Sequence, residues 1–99
     1  MRLSPEQVAA IRQTAAEVFG DDVGVWLFGS RVDDSKRGGD VDLLLSPVSL
    51  DAREQLLRKV RFLSRLERRL GERKVDVVIE GPGDTRPIVR IAHQTGVRL

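Results

Sequence analysis

Three short runs of β-branched and large apolar residues, at positions 23–28, 40–45 and 75–79, are separated by stretches whose apolar residues recur three and four apart. Runs this short suit strands rather than stable helices, and strands that alternate with helical-period segments imply a sheet with helices laid on it. Ser4 and Pro5 read as an N-cap and a first helical position, with Glu6 or Gln7 as capping-box partner. They open a helix over 5–19, with Val8, Ile11, Ala15, Val18 and Phe19 on one face and Gly20 as its stop. A second helix spans 51–70 between Pro47 and Gly71, with Leu56, Val60, Leu63, Leu66 and Leu70 along one side. After the third strand comes the breaker cluster Gly81, Pro82 and Gly83, then a short helix over 88–93 with room for a final strand. The order is α-β-β-α-β-α, and the expected class is α/β (α+β): a mixed β-sheet flanked by helices, in one domain spanning 1–99.

Composition narrows the chemistry. With 40% hydrophobic and 32% charged residues the chain is neither disordered nor membrane-embedded, and it has no run of the roughly 20 apolar residues that a span needs. The amino terminus lacks the layout of a signal peptide, so the expected location is cytoplasmic. Without cysteine there is no disulfide, thiolate metal site or thiol nucleophile, and any metal must be held by oxygen. The net charge of +2 hides two uneven regions. The stretch 53–74 carries nine Arg or Lys, whereas 33–42 carries four aspartates. A basic helix can meet nucleic acid, but a solvated cationic face is the commoner outcome, so nucleic acid is not the favoured partner.

The acidic region carries the chemistry. Along a strand alternate side chains share a face, so Asp40 and Asp42 project to one side while Val41 and Leu43 turn into the core. Two carboxylates held together repel unless a cation lies between them, and Mg²⁺ favours oxygen ligands while keeping phosphate oxygens in its shell. Asp76 supplies a third acid inside an otherwise apolar strand. Upstream, the strand over 23–28 delivers Gly29 and Ser30 into a turn, where glycine lets backbone N–H groups approach a phosphate and the hydroxyl can donate to it. Arg31 follows as a phosphate contact or a solvent-facing turn residue, with Lys36 and Arg37 as weaker candidates in the polar loop 31–39. The lone histidine, His93, reads as a capping or packing residue, and Trp26 as core.

The segments FGSRVDDSKRGGDVDLLL and KVDVVIE together resemble the nucleotidyltransferase superfamily typified by DNA polymerase beta, and within it the minimal nucleotidyltransferases found beside HEPN-domain proteins. The resemblance implies that Gly29 and Ser30 hold the triphosphate of ATP and that Asp40 and Asp42 bind two Mg²⁺ ions. It implies that Asp76 completes the ligand set and helps activate an acceptor hydroxyl. Where many relatives have a serine before the first aspartate and a glycine midway through the loop, this chain has Gly39 and Asp34.

The function so implied is transfer of AMP to an acceptor, foremost a tyrosine on a HEPN toxin partnered by this chain as antitoxin in a hetero-oligomer. One alternative is a non-catalytic antitoxin or scaffold that masks its partner by binding. Another is nucleotidyl transfer to RNA or to a small molecule such as an antibiotic. Three retained acids favour the enzyme, since masking alone gives no reason to gather them.

Overall fold

A computed structural model describes residues 3–29, 41–71 and 73–99. Helix α1, Pro5–Phe19, begins on the capping box: the Gln7 N–H donates to Ser4 Oγ at 3.1 Å and the Ser4 N–H to Gln7 Oε1 at 2.9 Å. Gln7, not Glu6, is therefore the capping partner. Strands β1, Gly24–Phe28, and β2, Val41–Ser46, follow, then helix α2, Ala52–Leu70, capped where the Glu54 N–H donates to Asp51 Oδ1. Strand β3, Val75–Ile79, helix α3, Pro87–Thr95, and the two-residue strand β4, Val97–Arg98, complete the chain. The final strand left open by the sequence is thus formed.

The sheet order is β3-β2-β1-β4, with β2 parallel to β3 and β1 antiparallel to both β2 and β4. This is the mixed sheet the sequence implies. A parallel pair needs a crossover, and α2 supplies it between β2 and β3. One face carries the main core: Val41, Leu43 and Leu45 of β2 meet Ile11, Ala15 and Val18 of α1 and Phe62 and Leu66 of α2. The other face carries a smaller one, where α3 lays Val89 and Ala92 over Phe28 and Leu44, with Trp26 and Val78 half-buried beside them. Val41 and Leu43 thus do turn into the core. Among the described residues no helix is long and apolar enough to cross a membrane.

Helix α2 departs in part from its expected packing: Leu66 is buried and Leu63 and Leu70 pack against the core, but the first two residues of the stripe do not. Phe62 and Leu66 are fully buried, but Leu56 and Val60, expected on the core side, are 62% and 59% exposed. The reason lies in the helix's basic residues, which turn it toward α1. Arg58 donates to the Val18 carbonyl at 2.8 Å, and Arg69 donates to Thr14 Oγ1 at 2.8 Å and pairs with Glu17 at 2.9 Å. Part of the basic stretch therefore joins two helices. The expected stripe and the buried stripe make different predictions. In dilute protein, Phe62→Ala should cost about 3–5 kcal/mol of unfolding free energy. Leu56→Ala should stay within about 0.5 kcal/mol of the parent, as ordinary surface substitutions do. Urea unfolding of the two variants checks this, and comparable losses would restore Leu56 to the core.

Candidate active site

The first turn beyond β1 is set by an approach that only glycine permits. Gly29 has φ +78°, in the left-handed region, and a Cβ there would collide with Asp42 Oδ2 and stand 3.2 Å from Asp42 Cγ. Backbone and carboxylate are thus pressed together where β1 ends and β2 begins. Register accounts for it: Phe28 lies opposite Asp42, and Asp42 in turn lies beside Asp76 across the parallel pair. Neighbouring strands run about 4.8 Å apart, so the two acids are adjacent. Asp42 is half-buried and Asp76 exposed. By alternation both share the face of Leu44 and Val78, the side that α3 covers.

The structure therefore brings together Gly29, Asp42 and Asp76 of the residues singled out in the sequence. Ser30, Arg31 and Asp40, with the rest of the loop that holds Asp34, Lys36, Arg37 and Gly39, lie outside the described residues. Among the described residues no group of three acids or histidines gathers closely enough to hold a metal. The pair that is described fits a hard cation on its donor chemistry, because both members are carboxylates from neighbouring strands. With the backbone of Gly29 against one of them, the end of the sheet offers acidic oxygens next to a turn that a phosphate can approach closely.

The same face carries a second polar cluster, two residues past Leu44 and Val78, which the sequence reading missed. Ser46 Oγ donates to Glu80 Oε1 at 2.7 Å, and His93 Nε2 meets the same oxygen at 2.6 Å. The His93 ring stands edge-on to Trp26, 4.8 Å between centroids, and the Arg98 guanidinium lies 5.1 Å from the Trp26 ring centre. The glutamate sits between serine and histidine, so the serine hydroxyl has no imidazole base, and the cluster is a tie rather than a nucleophile pair. It fastens α3 to β2 and β3. His93 is the packing residue expected of it, while Trp26 is only half-buried. The one signal in the sequence was the spacing of Asp76, Val78 and Glu80, which puts Glu80 on the acids' face.

Comparison with protein-family models and with curated proteins yields no match.

Two predictions follow from these contacts. Gly29→Ala should destabilise by about 1–3 kcal/mol for the backbone alone, and by more once Asp42 is displaced. Gly20, at φ +101° with open space around it, isolates the backbone part. Subtracting the Gly20→Ala loss therefore leaves the Asp42 contact, and equal losses at the two positions would remove it. At the other cluster, the bond from His93 and then that from Ser46 hold the Glu80 carboxyl below its ordinary value of 4.5. A lowered folded pKa gives stability that is present above the unfolded value and is lost as pH falls through the folded one. Thermal melts should show Glu80→Gln less stable than the parent at neutral pH, with the gap closing below pH 4.5; a gap that does not change with pH would exclude the charged tie.

Proposed function

We propose that this chain transfers a nucleotidyl group from ATP to an acceptor hydroxyl, with Mg²⁺ as the metal. The observation that carries the reading is the contact of Gly29 with Asp42, with Asp76 in register beside it. An acid pressed against a left-handed glycine turn is expensive for a fold that only needs a strand end, and is useful where phosphate and cation must meet. The order of residues supports it as well: the turn Gly29–Ser30 precedes the Asp40, Asp42 pair, and Asp76 follows on the next strand, as in the nucleotidyltransferases that the sequence resembles.

In this reading Asp42 and Asp76, joined by Asp40, hold the metal. Mg²⁺ would neutralise triphosphate charge and favour in-line attack at the α-phosphorus. The Gly29 turn lets the backbone approach the phosphates, Ser30 donates its hydroxyl to them, and Arg31 adds a charge-assisted donor. The acceptor oxygen forms the new bond to the α-phosphorus, the bond to pyrophosphate breaks, and Asp76, the exposed member of the described pair, takes the hydroxyl proton. A tyrosine of a HEPN-type partner is the acceptor that the resemblance favours, which would make the chain a cytoplasmic antitoxin acting in a hetero-oligomer.

Asparagine at both described acids keeps the side-chain shape and removes the charge. The Asp42→Asn, Asp76→Asn double variant should transfer no nucleotide. With Mg²⁺ and ATP at 100 times the dissociation constant the parent should gain about 2.7 kcal/mol by mass action, and the variant little. Melting curves in EDTA and in Mg²⁺ with ATP test this, and equal gains in parent and variant would sink the site. Labelled ATP incubated with the purified partner, and separately with RNA, shows which acceptor takes the label.

A further inference from the structure

Strand β3 forms one edge of the sheet, with β2 on its inner side. The hydrogen bonds that run inward fix which groups point out. Lys74 accepts from the Val41 N–H, and Glu80 donates to Leu45 and accepts from Val48, so the even-numbered residues face β2. The N–H and C=O groups of Val75, Val77 and Ile79 therefore point away from the sheet. Among the described residues one of these is engaged: the Ile79 carbonyl accepts from Arg86 Nη2 at 2.6 Å. Beside this edge, α2 presents the exposed Leu56 and Val60, and Leu63, which packs in part against the main core, continues the same flank. Leu56 shares a groove of about 390 Å³ with Val77, Val78 and Ile79, and Leu63 lines a second groove beside Val75. An open edge with apolar side chains alongside is the arrangement that invites a further strand.

We propose that this edge, with the Leu56–Val60–Leu63 flank of α2, docks a second copy of the chain, antiparallel, with Val77 on the two-fold axis. Charge selects this occupant and this register. Pairing β3 with itself about Val77 overlaps the whole strand and sets Val77 against Val77, Val75 against Ile79, Asp76 against Val78 and Lys74 against Glu80. A slip of two residues either way, the smallest that keeps outward groups facing outward groups, sets acid against acid, Asp76 on Asp76 or Asp76 on Glu80. Like charges directly opposite destabilise a strand pair, and opposite ones support it. The centred register also makes Val77 a hydrogen-bonded pair, as its outward N–H and C=O require. The Ile79 carbonyl keeps Arg86 on one lone pair and offers the other to the Val75 N–H of the second copy.

A ladder of five residues falls short of the roughly 800 Å² per partner that a stable interface buries. The α2 flank supplies the rest. Because α2 precedes β3 and runs opposite to it, Leu56 and Lys59 lying by Val77 and Ile79 and Leu63 by Val75, the two copies of α2 meet antiparallel above the seam, with the aliphatic stem of Lys59 close to the axis. A two-fold axis normal to the sheet keeps both small-core faces on one side. The two Asp76 carboxylates are then diagonal neighbours, about 7–8 Å apart at the backbone, so the two candidate sites adjoin across the seam.

Sedimentation equilibrium on the full chain, from low micromolar concentration to the solubility limit, tests the proposal. The parent should move from 11.1 kDa to twice that mass, and the Val75 and Val77 amides should exchange hydrogen more slowly as concentration rises. The Leu56→Asp, Val60→Asp double variant changes only exposed side chains, so it should fold and keep its dilute melting temperature. It should stay at 11.1 kDa with edge exchange independent of concentration. A parent that remains at 11.1 kDa throughout overturns the proposal, whether the edge stays open or is taken by a different strand. A dimer that survives the double variant with Val77 still exchanging freely overturns it equally.

Discussion

Strand β2 is the member on which the other elements depend. It pairs antiparallel with β1 on one side and parallel with β3 on the other, and Val41, Leu43, Leu44 and Leu45 are fully buried, shared between the two cores. A strand covered on both faces and bonded along both edges cannot shift by one residue without exchanging its whole set of buried side chains for the opposite set. That rigidity places Asp42. The acid takes the single half-buried position in the strand, at its first turn, and the register of β2 fixes Phe28 on one side of it and Asp76 on the other.

Much of this was legible because it is periodic. The alternation of short apolar runs with helical stretches gives element order and class, and alternation within the strands gives the face shared by Asp42 and Asp76. Gly20 and Gly71 stop the helices where the chain needs positive φ, and Ser4 and Asp51 start them. Each of these signals acts within a few residues of itself. Long-range facts left no such trace. That β3 and not β1 should be the parallel neighbour of β2, and that Glu80 should meet Ser46 and His93, depends on residues up to 34 apart in the chain.

Helix α2 shows how a correct period can leave part of its stripe outside the core. Its leucines and valine at 56, 60, 63, 66 and 70 recur as a core stripe should, and the period rightly gives a helix. Which side of the helix is buried is decided by what α1 offers. The carbonyl of Val18, the hydroxyl of the buried Thr14 and the carboxylate of Glu17 all take arginines from α2. Buried or half-buried polar groups must find partners, whereas an exposed leucine costs little. The polar pairing therefore sets the rotation of the helix, and Phe62 enters the core beside Leu66 while Leu56 and Val60 stay exposed.

The small-core face of the sheet is organised along its length by the same demand. At one end stand Asp42 and Asp76; in the middle lie Trp26, Leu44 and Val78 under α3; at the far end Ser46 and Glu80 close on His93. A face with acids at both ends cannot be covered evenly by an apolar helix. The far acid is satisfied by bonds from serine and histidine, and those bonds hold α3 over the middle. Of the near acids, Asp42 is half-buried and Asp76 stays exposed. Removing both near acids would let an apolar strand end pack against α3, so keeping them forgoes burial at the place where the glycine turn comes closest. A fold gives up stability in this way most readily at a site that binds something.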